Sequence, residues 1–171
     1  MRAMIRMFRR LRDEEGGSLF EMALASTVFL AMLIGVFEMM LALSTFNYVT
    51  DAARQGTRYA MVRGSTSCTN TPNLANCNAT AAEVKTYVRG ISYPGVNSSN
   101  LTVTTSWLSA STSPSSLTSG QTTTWSACGG TCNSPGNLVK VVTSYPFSFS
   151  VPFVPKATLT MTSTSQVVIA Q

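Results

Sequence analysis

The amino-acid sequence predicts an α+β chain. A long N-terminal transmembrane helix continues into an exported head with a short helix and a small antiparallel β-sheet. Three observations carry this. An apolar segment near the N-terminus is long enough to cross a bilayer. The stretch behind it keeps a helical stripe and contains no proline. The C-terminal part alternates apolar and hydroxyl residues with period two.

Residues 1–16 form a charged leader, with Arg2, Arg6, Arg9, Arg10 and Arg12 followed by Asp13, Glu14 and Glu15. Leu19–Phe46 then carries only Glu21 and Glu38 as charges. A bilayer core needs roughly 20 apolar helical residues, and this segment supplies them with each glutamate near one end. The basic leader sets the orientation, N-terminus cytoplasmic and the remainder outside.

Asn47–Arg63 places Val49, Ala52, Ala53, Gly56, Tyr59, Ala60 and Val62 on one stripe, with Asp51, Arg54, Arg58 and Arg63 mostly off it. One continuous helix over 17–63 follows, on the order of 70 Å long at 1.5 Å per residue, with Gly64 and Ser65 ending it. The chain therefore divides into 1–16 as cytoplasmic leader, 17–63 as transmembrane and extended helix, and 64–171 as the exported head.

In the head, Thr80 and Glu83 have capping-box spacing and Gly90 is placed as a C-cap, which frames a helix over Ala81–Arg89. Leu101–Leu108 is a strand by its β-branched and aromatic content. Ser109–Thr124 is dominated by serine and threonine and reads as a loop or weak edge strand. Leu138–Tyr145 is a second strand. Phe147, Phe149, Val151 and Phe153 then alternate with serine and proline, and Ala157, Leu159 and Met161 alternate with threonines. Such alternation predicts an antiparallel sheet with one buried face. Trp107 and Trp125 are expected in its core.

Composition excludes several functions. The chain has 171 residues, net charge +5, 11% charged and 44% hydrophobic residues, which is not the profile of a disordered charged tail. It contains no histidine, so histidine-based acid–base catalysis, Ser-His-Asp triads and histidine-ligated metals are all excluded. Five of the twelve basic residues lie in the leader, so the remainder carries no phosphate-tracking patch and no nucleic-acid partner is expected. There is no phosphate loop, and no nucleophile stands with a base; a non-enzymatic role without a cofactor follows.

Cys68, Cys77, Cys128 and Cys132 all lie beyond the apolar segment. An even count outside the cytoplasm favours disulfides over zinc, with every connectivity open. Asn78, Asn97 and Asn100 begin glycosylation-type triplets, which a Ser/Thr-rich chain produces by coincidence.

The junction of leader and span is the most informative stretch. A secretory signal puts its small residues after the apolar core; here Gly16 and Gly17 precede it, and Glu21 follows Gly16 by five positions. That order resembles the processing site of type IV pilin-like proteins. The resemblance implies a cut after Gly16, Gly17 as the new N-terminus, and Glu21 as the fifth mature residue. A carboxylate there can pair with the new amine of a neighbouring subunit.

Further residues extend the likeness. The Glu21 start of the span, Gly35-Val-Phe-Glu38 and Ala52-Ala-Arg-Gln-Gly-Thr-Arg58 together resemble the TadE-like family, minor pilin-type proteins of tight-adherence (Flp) pili. The C-terminal strands resemble the family more loosely. Thr27 stands where proline is frequent in that family. The resemblance implies a structural pseudopilin or minor pilin of a Tad-type (type IVc) pilus, in the inner membrane with a periplasmic head. Its implied partners are a prepilin peptidase, other pilins, the inner-membrane assembly platform and the lipid bilayer. Glu38, Arg54, Gly56 and Arg58 are candidate helix contacts, weighed against plain snorkelling, a solvated face and a tolerated glycine. The rival readings are an uncleaved single-span component of the same machine and a membrane-tethered binding module.

Overall fold

A helix, α1 (Glu14–Met61), opens the described part of the computed structural model, which covers residues 14–91, 93–108, 125, 132–150 and 155–170. It includes Glu14–Gly16, so the helix extends into the leader, and it passes Thr27 without a break. There the Thr27 hydroxyl donates to the Ala23 carbonyl at 2.7 Å, as does Ser26 at 2.9 Å. Side-chain hydroxyls that bond back to their own helix leave no unmet donor in an apolar setting. A one-turn helix, α2 (Ser67–Asn70), follows, which the sequence pattern did not predict. Then come α3 (Ala81–Gly90), a 3-10 turn (Ser98–Asn100), β1 (Thr102–Leu108), β2 (Leu138–Ser148) and β3 (Thr158–Val168). Residues 1–13, the Ser109–Thr124 stretch, Cys128, Val151 and Phe153 lie outside the described residues.

The chain divides into two compact units. One holds α1 through Ala42 together with Phe149–Ala157; the other runs from Leu43 to Ser148 and resumes at Thr158. In the first, the span-forming part of α1 is exposed along its length, and the Phe149 N–H donates to the Ala157 carbonyl at 2.9 Å.

The second unit is a three-stranded antiparallel sheet, order β1-β2-β3, with helices on one face. Directly opposed residues share a face, so the register puts Thr105 and Trp107 beside Val141 and Val139, and Tyr145 beside Met161. That inner face supplies Val103, Trp107, Val139, Val141 and Met161 to the core. α1 contributes Tyr48, Val49, Ala52, Ala53 and Ala60, and α3 contributes Val84 and Val88. The predicted stripe beyond the span is therefore the core face of the helix. Two buried hydroxyls are matched across the layers, while Thr105 Oγ1 on β1 has no partner among the described residues. Thr143 donates to the Val49 carbonyl at 2.8 Å, and Thr57 and Ser165 share a hydrogen bond at 2.9 Å.

The capping box forms as its spacing predicts. The Thr80 N–H donates to Glu83 Oε2 at 2.8 Å, and the Glu83 N–H to Thr80 Oγ1 at 3.3 Å. Three expectations are corrected. Gly90 is the last helical residue, and the C-cap is Ile91 in an extended conformation, so the left-handed freedom of glycine is not used. Ala157 and Leu159 stay exposed, Leu159 by 52%; on β3 only Met161 is fully buried, because the sheet core ends at the Tyr145–Met161 pair. Trp107 is core, but Trp125 is half-buried, its ring under the Lys140 ammonium at 4.0 Å.

Candidate functional site

The membrane-length part of α1 is the largest chemical feature of the chain. Leu19, Phe20 and Met22 are each at least 70% exposed, and Val28, Phe29, Met32, Phe37 and Met39 are open as well. A soluble monomer rarely leaves a contiguous apolar surface of this size uncovered. Apolar residues all round a helix call for lipid or other helices. By length and composition α1 can cross a membrane.

Glu21 and Glu38 interrupt that surface. Glu21 is exposed and Glu38 half-exposed, and neither has a partner among the described residues. They stand 17 positions apart, which is about 26 Å along a helix and about 100° around it. That separation is comparable to a bilayer core roughly 30 Å thick, and the two lie on different sides of the helix. Unmatched carboxylates on an apolar surface are costly within a bilayer.

Gly16 and Gly17 lie within the helix a turn before Glu21. Gly17 is open, with nothing within 4 Å of where a Cβ would stand. Each glycine makes local unwinding of the helix cheaper by about 1 kcal/mol relative to alanine.

The other predicted helix contacts belong to the second unit and divide sharply. Gly56 is buried: a Cβ there would sit 2.9 Å from Val88 Cγ2 and 3.1 Å from Val141 Cγ1. Its close approach is to the chain's own α3 and β2. Arg54 and Arg58 point outward and make no ion pair among the described residues. Asp51, the nearest acid in sequence, accepts instead from Gln55.

Cys68 and Cys77 are joined in a disulfide, and Cys132 is disulfide-bonded as well. The Cys68–Cys77 loop docks on a cluster that the sequence pattern did not single out. Tyr59 and Tyr87 stack at 4.2 Å between ring centroids, and the Arg63 guanidinium lies 3.9 Å over Tyr59. Arg63 Nε donates to the Ala75 carbonyl at 3.3 Å, and Asn76 Nδ2 to the Tyr59 hydroxyl at 3.5 Å. The available signal was the four-residue spacing of Tyr59 and Arg63 in the predicted helix; α1 ends at Met61, and Arg63 folds back over Tyr59 just past it. Among the described residues, no three His, Cys, Asp or Glu side chains cluster as a metal site.

Two of the triplet asparagines have side-chain partners. Asn78 Oδ1 accepts from Asn133 Nδ2, and Asn97 Oδ1 caps the Ser99 N–H at 3.1 Å.

The family model of TadE-like proteins matches residues 16–58, from the glycine pair through Arg58. No curated protein and no solved structure matches the chain. The match makes this part of α1 similar to TadE-like proteins and does not extend to the head.

Proposed function

We propose that this chain with a TadE-like N-terminal region is a pseudopilin or minor pilin of a Tad-type pilus. It enters the inner membrane with its N-terminus cytoplasmic and its head periplasmic. A prepilin peptidase cuts between Gly16 and Gly17, and α1 then carries the subunit into assembly beside other pilins on the membrane platform. The new amine of one subunit pairs with Glu21 of its neighbour, and the head contributes to adhesion. The observation that supports this most strongly is an apolar helix surface with no cover among the described residues, interrupted just past the glycine pair by Glu21, which has no partner among them. The disulfides fit a head outside the reducing cytoplasm.

Intact-mass measurement of membrane-extracted protein tests the reading. In cells with the peptidase the mass should correspond to Gly17 as first residue, and Gly16→Arg should retain the leader. A wild-type mass that includes residues 1–16 would favour the uncleaved single-span component instead.

A further inference from the structure

We infer that the recess between α1 and α3, built on the Tyr59–Tyr87 stack, binds a carboxylate-bearing segment of a partner protein through Arg58. The recess has a volume of about 470 Å³ and is lined by Asp51, Gln55, Arg58, Tyr59, Arg63 and Tyr87. Tyrosine and arginine around a small recess are the side chains that dominate binding energy at protein interfaces.

Charge decides what fits. The stretch Leu43–Ile91 holds Arg54, Arg58, Arg63, Lys85 and Arg89 against only Asp51 and Glu83. Both acids are engaged internally, Asp51 by Gln55 and Glu83 by the capping box. Arg63 lies on Tyr59 and donates to Ala75, and Arg89 Nε donates to the Leu101 carbonyl at 2.9 Å. Arg58 lines the recess, is exposed, and makes no ion pair among the described residues. A guanidinium in that state offers two parallel N–H donors to a planar carboxylate.

The walls are fixed before a ligand arrives, which lowers the ordering cost of binding. Tyr59 is held between Tyr87 and Arg63, and the disulfide-closed loop holds Ala75 and Asn76 against that stack. An anionic membrane surface fits poorly. Asp51 lines this recess and Glu83 lines its neighbour beside Tyr87, so an extended negative plane meets two like charges, whereas one protruding carboxylate reaches Arg58. That the partner is another pilus component rests on the proposed function; the recess chemistry does not.

The test is fluorescence anisotropy with the full chain in detergent micelles. The probe is a labelled nonapeptide with two glutamates in a Gly/Ser frame, compared with its glutamine counterpart. The glutamate peptide should bind at least about tenfold more tightly, and Arg58→Ala should remove about tenfold of its affinity. Arg58→Lys should restore only part, and Tyr87→Ala should weaken binding severalfold. Arg54→Ala, outside the recess, should leave it unchanged. Equal binding of the two peptides, or full affinity in Arg58→Ala, overturns the inference. Arg58-dependent binding to vesicles containing anionic lipid, with no peptide binding, overturns it in favour of a headgroup. Glu21→Ala should not alter peptide affinity, so a failure of the pilin reading stays distinguishable from a failure here.

Discussion

The two stretches of α1 both carry apolar residues, yet one presents them outward and the other buries them along one side. Up to Ala42 the helix carries Leu19, Phe20, Met22, Phe29 and Met32, all open. From Leu43 it carries Ala52, Ala53, Gly56, Thr57 and Ala60 on its buried side. Large side chains cover apolar area in lipid or against other helices. Small ones let a helix backbone come close to a sheet, as Gly56 does to Val141. The inward stretch also buries Tyr48, Val49 and Tyr59, so it is the small residues at the points of closest approach that set the spacing.

The strongest way to break the inward half is Gly56→Val. Its added methyls meet the Val88 and Val141 side chains, which are β-branched and stiff, and Val141 is pinned in the central strand. Overpacking of this kind costs about 1–3 kcal/mol or more, with little relief from helix propensity. The purified variant should show a lower melting temperature and early proteolysis of the head. Unchanged melting would mean that α1 does not pack there as described.

Replacing Cys68 and Cys77 together with serine should cost about 2–3 kcal/mol, from the loop-closure entropy of a short loop. Denaturant titration under non-reducing conditions measures it. An unaltered midpoint would remove the disulfide from the account of the head. Thr143→Val is smaller. It leaves the buried Val49 carbonyl without its side-chain donor, for about 1 kcal/mol, read from the same titration.

In the outward half, Glu38→Ala should leave head stability unchanged and lower co-purification with partner pilins less than Glu21→Ala does. Glu21→Gln should be milder than Glu21→Ala, since the amide oxygen still accepts a hydrogen bond. A reversed order would place the critical pairing at the outer end of the span.

Much of this was legible in the sequence because local chemistry dictates it. The capping box of Thr80 and Glu83 follows from two residues three positions apart, and the span from a run of uncharged ones. The core stripe of Val49, Ala52, Ala53 and Gly56 follows from its period. What stayed hidden depends on which elements meet. Nothing local says that Leu159 lies past the end of the core, or that Gly56 faces the chain's own sheet. The Tyr59–Tyr87–Arg63 stack joins α1 to a helix some 25 residues later through a disulfide loop; no spacing rule encodes that meeting.

In the proposed function Glu21 serves assembly and not folding. The most direct measurement of that role is the crosslinking yield of Glu21→Ala with partner pilins, at membrane levels matched to wild type. The account expects a cleaved subunit whose head melts like wild type and whose crosslinking yield falls sharply. A stranded charge from a desolvated pair costs about 3–5 kcal/mol, enough to drive the subunit from the bundle. A yield equal to wild type would contradict the pairing and return α1 to the role of a simple anchor.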